Sequence, residues 1–242
     1  MADYADLSSN DSVLEIGPGT GNLTEVLAQR AGCVWAVEVD PALAEGLRGR
    51  FGNVEVIRGD ALKVELPDCD KIVSNLPYQI SSQITYRLLK RPFDLAVLIY
   101  QKEFAQRMLA EPGQKIYGRL GMAVGYLCHR EILEWVTRSA WRPVPKVDSA
   151  MVRLQPKEVD VNAGRFMDFV EGLFRQRRKK IRNALLGMGF SSKALQGLEG
   201  RQEGCLLDCR PEELSPEVAA QILQSIDPTC HEIRRSQYHE IR

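Results

Sequence analysis

Nowhere in these 242 residues is there an apolar stretch that could cross a bilayer: the longest strongly apolar run, Leu95 to Tyr100, falls far short of the ~20 residues a spanning helix needs. No membrane partner is expected. The first residues, Met1 to Asp6, lack the basic start and apolar stretch of a secretory signal, so a cytoplasmic location is expected. Cysteine is scarce as well. The six cysteines are spread from Cys33 to Cys230 and sit mostly in apolar segments, which rules out a disulfide scaffold. Cys205, Cys209, Cys230 and His231 can be drawn as a zinc site, but no C-x-x-C pair supports it and no metal is expected. An excess of one charge is also missing: 32 basic and 32 acidic residues cancel, which excludes a polycation that coats nucleic acid indiscriminately. Charge must act locally. The segment Phe174 to Leu185 carries Arg175, Arg177, Arg178, Lys179, Lys180 and Arg182 with no acid among them.

What is present is ordinary globular material, 44% hydrophobic and 26% charged. From Ser12 to about Pro156, short β-branched runs alternate with helical stretches, the rhythm of a doubly wound α/β domain with a mostly parallel sheet. Seven strands are predicted: Val13 to Ile16, Val34 to Val39, Val54 to Arg58, Lys71 to Ser74, Leu95 to Tyr100, Glu131 to Thr137 and Ala150 to Leu154. Helical spacing places crossovers at Leu23 to Ala31, Pro41 to Phe51, Ser82 to Leu89 and Lys102 to Ala110. Beyond Pro156 the pattern becomes helical, through Phe166 to Phe174, Ala184 to Leu186 and Val218 to Ile226, with helix-start chemistry at Pro211 to Pro216. The expected division is a catalytic domain over 1–157, a small C-terminal helical domain over 158–230, and a polar tail over 231–242.

The first strand runs into Glu15-Ile16-Gly17-Pro18-Gly19-Thr20-Gly21, a turn whose glycines let backbone approach a ligand closely. The spacing is G-x-G-x-G rather than the dinucleotide G-x-G-x-x-G, and Pro18 removes one amide that could hold a pyrophosphate. A nucleoside ligand without phosphates follows. Glu38 closes the second strand, where an acid can accept from both ribose hydroxyls. Asp60, in Gly59-Asp60-Ala61, ends the third, where a carboxylate can accept from an adenine amino group and the neighbouring backbone can meet the ring edge. Asp40 reads as a solvated loop acid.

The fourth strand ends in Asn75-Leu76-Pro77-Tyr78, at the edge where ligands bind in such sheets. Adenine N6 is a poor nucleophile because its lone pair is delocalised into the ring. If the Asn75 side-chain oxygen and the Leu76 carbonyl each take one N6 hydrogen, the amine is held pyramidal and its lone pair can be aimed. Pro77 stiffens the turn, and Tyr78 offers a face on which an extruded base can stack.

These motifs, together with Trp141-Arg142-Pro143-Val144-Pro145-Lys146-Val147-Asp148-Ser149, Arg177-Arg178-Lys179-Lys180 and Arg210-Pro211-Glu212-Glu213-Leu214-Ser215, resemble the ribosomal RNA adenine dimethyltransferases. That family modifies two adjacent adenines near the 3′ end of small-subunit ribosomal RNA during ribosome assembly. The resemblance implies a Rossmann-like class I methyltransferase sheet and S-adenosylmethionine as cofactor. It places cofactor contacts on Glu15, Gly17, Gly19, Gly21, Glu38, Asp60, Ala61 and Asn75. Base handling falls on Asn75, Leu76, Pro77 and Tyr78, with Trp141, where the family usually has phenylalanine, either completing a sandwich or sitting in the core. RNA contacts are expected from Arg175, Arg177, Arg178, Lys179, Lys180 and Arg182, spaced around one helix, and the partner is small-subunit rRNA in an assembling subunit bound by a monomer. The family's Gln-Asn-Phe-Leu segment before the first strand is absent, so slow turnover is expected. DNA adenine and protein glutamine methyltransferases carry related Asn-Pro-Pro-Tyr or Asp-Pro-Pro-Tyr motifs, and Leu76 favours the rRNA group. The erythromycin-resistance enzymes share Asn-Leu-Pro-Tyr but act on large-subunit rRNA, and the Arg-Pro-Glu-Glu-Leu-Ser tail favours the small-subunit group. A non-catalytic RNA-binding assembly factor is the remaining alternative.

Overall fold

A computed structural model describes residues 1–142, 144–199, 206–227 and 229–230, with the side chains of 197 and 199 left aside. The chain divides into two compact units, residues 1–105 with 129–156, and residues 106–128 with the chain from 157 onward. The segment 106–128, assigned from sequence to the first domain, groups with the second unit instead.

The first unit is built on a seven-stranded sheet: β1 Ser12–Ile16, β2 Cys33–Glu38, β3 Val54–Arg58, β4 Lys71–Asn75, β5 Leu95–Gln101, β6 Cys128–Val136 and β7 Ser149–Pro156, in the order β3-β2-β1-β4-β5-β7-β6. The strands from β3 to β5 are parallel and β7 runs antiparallel to β5. The continuous apolar run of β5 is buried from Ala96 to Tyr100, as a strand covered on both faces requires. Helices α1 Asn22–Arg30, α2 Pro41–Leu47 and α3 Ser81–Leu88 make the crossovers, and α4 Lys102–Leu109 follows β5. Asp40 is exposed and outside the helix, as expected, and its carboxylate also caps α2, accepting from the N–H groups of Ala42 and Leu43 at 2.8 and 3.0 Å. That helix ends at Leu47 rather than Phe51, since Arg48 is extended and Gly49 turns left-handed with φ +68°.

Strand order reverses between β1 and β4, the place where an open α/β sheet parts to admit a ligand. The parting is visible in the ladder. β1 pairs with β2 as far as Ile16↔Val37, but with β4 only at Val13↔Lys71 and Leu14↔Ile72. Beyond that point the buried Ser74 hydroxyl takes over, donating to the Ile16 carbonyl at 2.6 Å and lying 3.3 Å from the Ile16 N–H. The two strands stay stitched while their ends diverge. Residues Ala2 and Ala5 are buried in the core cluster that also holds Val13, Leu27, Val97 and Ile99.

The second unit is helical: α5 Arg119–Leu127, α6 Ala163–Arg175, α7 Ile181–Gly187, α8 Ser192–Glu199 and α9 Pro216–Ile226. Sequence periodicity misses α5 because it has no polar face; every residue from Leu120 to Leu127 is buried. It packs against α6 and α9. Gly121 permits close approach, since a Cβ there would lie 3.0 and 3.1 Å from the Arg107 and Ala110 carbonyls. Asn162 caps α6 and Ser215 caps α9, each through its side-chain oxygen.

Candidate active site

At the open edge, the glycine turn is shaped by three left-handed residues, Gly17, Gly19 and Gly21, with φ of +71°, +57° and +87°. Any L residue would be strained there. Space is short as well: a Cβ on Gly21 would lie 2.4 Å from Leu47 Cδ2, and one on Gly17 would lie 3.0 Å from Pro77 Cγ. The glycine turn and the Asn75-Leu76-Pro77-Tyr78 turn therefore touch. Glu38, almost fully buried, closes the loop by accepting from the Gly19 N–H at 3.0 Å and the Asp40 N–H at 2.9 Å. Each of its oxygens keeps a second lone pair for a ligand hydroxyl. Directly after it stands Val39, an apolar side chain 67% exposed at the open edge, which the sequence reading missed. An apolar residue following the strand-ending acid was the available signal.

Asp60 lies at the end of β3, its Oδ1 accepting from the Leu62 N–H at 2.9 Å and its Oδ2 3.7 Å from Lys63 Nζ. Ala61 is buried; its carbonyl accepts from Arg87 at 3.0 Å, while no acceptor among the described residues meets its N–H. Glu15 is 2% exposed and its Oε2 has no hydrogen-bond partner among the described residues. Burial pushes its carboxyl up to about 7, the nearby Thr24 hydroxyl pulls it down, and the charge of Glu38 raises it further. A buried carboxylate with an idle oxygen is a ready partner for a cation.

Asn75 ends β4 with an exposed side chain that makes no hydrogen bond among the described residues, and no donor among them reaches the Leu76 carbonyl. Both acceptors are idle. Pro77 sits at φ −58° and its carbonyl starts the turn, accepting from the Ile80 N–H at 3.1 Å. Tyr78 is fixed by a 2.6 Å hydrogen bond between its hydroxyl and the buried Ser149 hydroxyl at the start of β7. Tethering the hydroxyl holds the far end of the ring in place, and its face can serve for stacking.

A sequence model described as ribosomal RNA adenine dimethylase matches residues 1–226. The chain belongs to that family. A Methanosarcina barkeri protein named "Probable ribosomal RNA small subunit methyltransferase A" is 46% identical over 230 residues, covering 92% of this chain and 80% of the relative. A Thermococcus onnurineus protein of the same name is 52% identical over 183 residues, 75% of this chain and 67% of its own length. A dimethyladenosine transferase from Plasmodium falciparum superposes with a TM-score of 0.81 at 31% identity, covering 94% of each chain. The 23S rRNA methyltransferase ErmE superposes with a TM-score of 0.67 at 31% identity, over 93% of this chain and 95% of its own. This dimethylase is thus an S-adenosylmethionine-dependent enzyme acting on adenine N6 in ribosomal RNA. The residues fit the cofactor: a glycine cradle, a free Ala61 N–H, and an unpaired buried Glu15 oxygen suited to an ammonium group.

Two groups of expected residues are placed differently by the dimethylase structure. Trp141 packs, half-buried, against the core cluster, and its indole N–H is buried without a partner among the described residues. The basic run does not wind around one helix: α6 stops at Arg175, residues 176–180 turn, and α7 starts at Ile181. The cause is local. Gln176 leaves helical geometry at φ −116°, ψ 33°, and its side-chain amide donates to the Ala184 carbonyl at 3.2 Å, folding α7 back. Arg175 pairs with Glu171 at 2.7 Å, Arg177 with Glu212 at 2.6 Å and Lys180 with Asp208 at 2.8 Å, while Arg178 and Lys179 stand exposed. Arg182 is half-buried. Cys205, Pro143, His231 and the expected tail over 231–242 lie outside the described residues.

Proposed function

We propose that this dimethylase transfers two methyl groups to each of two adjacent adenines near the 3′ end of small-subunit rRNA, working as a monomer in the cytoplasm where subunits assemble. The observation that carries the reading is the pair of idle acceptors, the Asn75 side-chain oxygen and the Leu76 carbonyl, on a turn that touches the glycine cradle. When bound, S-adenosylmethionine supplies an electrophilic methyl group on a sulfonium. Gly17, Gly19 and Gly21 admit it, Glu38 accepts from the ribose, Asp60 and the Ala61 N–H read the adenine edge, and Glu15 faces the ammonium. Asn75 and Leu76 each accept one N6 hydrogen of the target, which turns the amine lone pair out of conjugation. Tyr78 stacks the base. Catalysis then comes mainly from alignment, with no strong base required.

In the second unit, Arg178 and Lys179 meet phosphates directly, and Arg175, Arg177, Lys180 and Arg182 exchange weak surface partners for them. The small-subunit assignment is favoured by the 46% identity to the Methanosarcina protein over most of both chains. Incubating the protein with tritiated S-adenosylmethionine and immature small subunits, then mapping the label, tests the proposal. Label in adjacent adenines near the 3′ end is expected; label confined to large-subunit RNA, or none at all, would overturn it.

A further inference from the structure

Trp135 lies near the end of the edge strand β6, and 52% of its surface is exposed. The Lys102 ammonium stands over its ring, 5.6 Å from the centroid, within cation–π range. Lys102 is linked to the Tyr78 turn through the start of β7. The Lys102 N–H donates to the Asp148 carbonyl at 2.9 Å, and the next residue, Ser149, holds the Tyr78 hydroxyl. The Arg138 N–H donates to the Asp148 carboxylate at 3.0 Å, so the connection from β6 to β7 is drawn onto the same edge. That connection is basic: Arg138, Arg142 and Lys146 are exposed, and neither they nor Lys102 pair with a carboxylate among the described residues. Exposed Val144 and Val147 lie in the same stretch.

A large aromatic ring left in water beside unpaired cations has the chemistry of a single-stranded nucleic acid site, in which bases stack and phosphates meet ammonium and guanidinium groups. A packed core position fails on exposure. A protein partner of mixed charge fits less well than a polyanion, because Lys102, Arg138, Arg142 and Lys146 meet no carboxylate among the described residues and the Asp148 carboxylate already accepts from backbone. We propose that Trp135 and Lys102 form a second base platform, which takes an unpaired nucleotide flanking the target adenine: the base stacks on the indole and the Lys102 ammonium meets its phosphate. The inference rests on the reading of the Tyr78 edge as the methyl-acceptor site. Its consequence is a strand held at two points, the target on Tyr78 and a neighbour on Trp135, which fixes the register of the RNA.

The test compares the parent with Trp135→Phe, Trp135→Leu, Trp135→Ala and Lys102→Gln, with cofactor binding by calorimetry as the check on folding. A short single-stranded RNA of mixed sequence should quench tryptophan emission in the parent, and Trp135→Phe should abolish most of that quench. In methylation assays the KM for RNA should rise about tenfold or more in Trp135→Ala, with a smaller change in kcat. Trp135→Phe should recover most of the loss and Trp135→Leu little, since leucine keeps apolar bulk without a π face. Equal recovery by leucine, or an undiminished quench in Trp135→Phe, overturns the platform. Label mapped outside small-subunit RNA would sink the substrate assignment, and the platform would still stand or fall on the quench.

Discussion

Between residues 175 and 182 the chain gathers six cations, yet Arg175, Arg177 and Lys180 are each held by a carboxylate, whereas Lys102, Arg138, Arg142 and Lys146, scattered over 45 positions of sequence, meet none among the described residues. Clustering along the chain is therefore not clustering of available charge. The basic turn of the second unit draws its acids, Glu171, Asp208 and Glu212, from elements that only folding brings near. At the open edge of the first unit the opposite holds: charged and polar groups are left idle, or buried without a partner, where a ligand can use them. Exposed ion pairs contribute little and exchange readily, while idle groups beside a rigid sheet are organised in advance.

The comparison is tested hardest by Asn75, which has no equivalent in the basic turn. Asn75→Ala should lower kcat about a hundredfold or more while leaving cofactor affinity nearly unchanged, because its oxygen acts on the target amine in the transition state. Loss of cofactor binding with normal turnover at saturation would contradict the role. Next comes the buried charge. Glu15 is pushed up to about 7, so between the ordinary carboxylate range and about 7 the native state holds a proton that the unfolded chain has lost. Stability should fall as pH rises through that window and level off above it, a loss of at most about 3 kcal/mol. Urea unfolding at pH 5 and pH 8 should show this slope in the parent and little of it in Glu15→Gln; equal slopes would mean that burial does not hold the proton.

Glu38→Ala should weaken cofactor binding by about 1.5 to 3 kcal/mol through lost charge-assisted bonds, to the ribose and to the Gly19 and Asp40 N–H groups that shape the loop. Calorimetry giving unchanged affinity would remove Glu38 from the site. The smallest effect sharpens the comparison most. Replacing Arg178 and Lys179 by Gln should flatten the salt dependence of RNA binding by up to ~0.7 to 0.9 per lost phosphate contact on a log-log plot, and replacing Arg142 and Lys146 should do likewise. Replacing the paired Arg175 and Lys180 should change it less. A larger change from the paired set would mean that their carboxylates are displaced at no cost.

Much of the edge was legible in sequence because it is built from strand ends. Gly17, Gly19 and Gly21 announce a turn that lets a ligand approach the backbone, Glu38 and Asp60 fall where β2 and β3 end, and Asn75-Leu76-Pro77-Tyr78 begins on the last residue of β4. All seven strands could be read because β-branched runs separated by helical spacing leave few alternatives. Helix α5 could not, since a helix buried all round shows no periodicity. Nor could its grouping with the second unit, because which surface covers Leu120 to Leu127 depends on α6 and α9, tens of residues further on.

By itself the sequence determined the sheet and the positions of the glycine cradle and of the Asn75-Leu76-Pro77-Tyr78 turn, because each depends on backbone conformation and strand order that local residues dictate. Only the tertiary structure decided that Trp141 packs against the core cluster, that Ser74 stitches the parting strands and that Ser149 tethers Tyr78. The same is true of which cations are spent on carboxylates and which remain free. Those outcomes turn on partners distant in sequence, and a side chain's hydrogen bonds and exposure are set by what folding brings within about 3 to 4 Å of it.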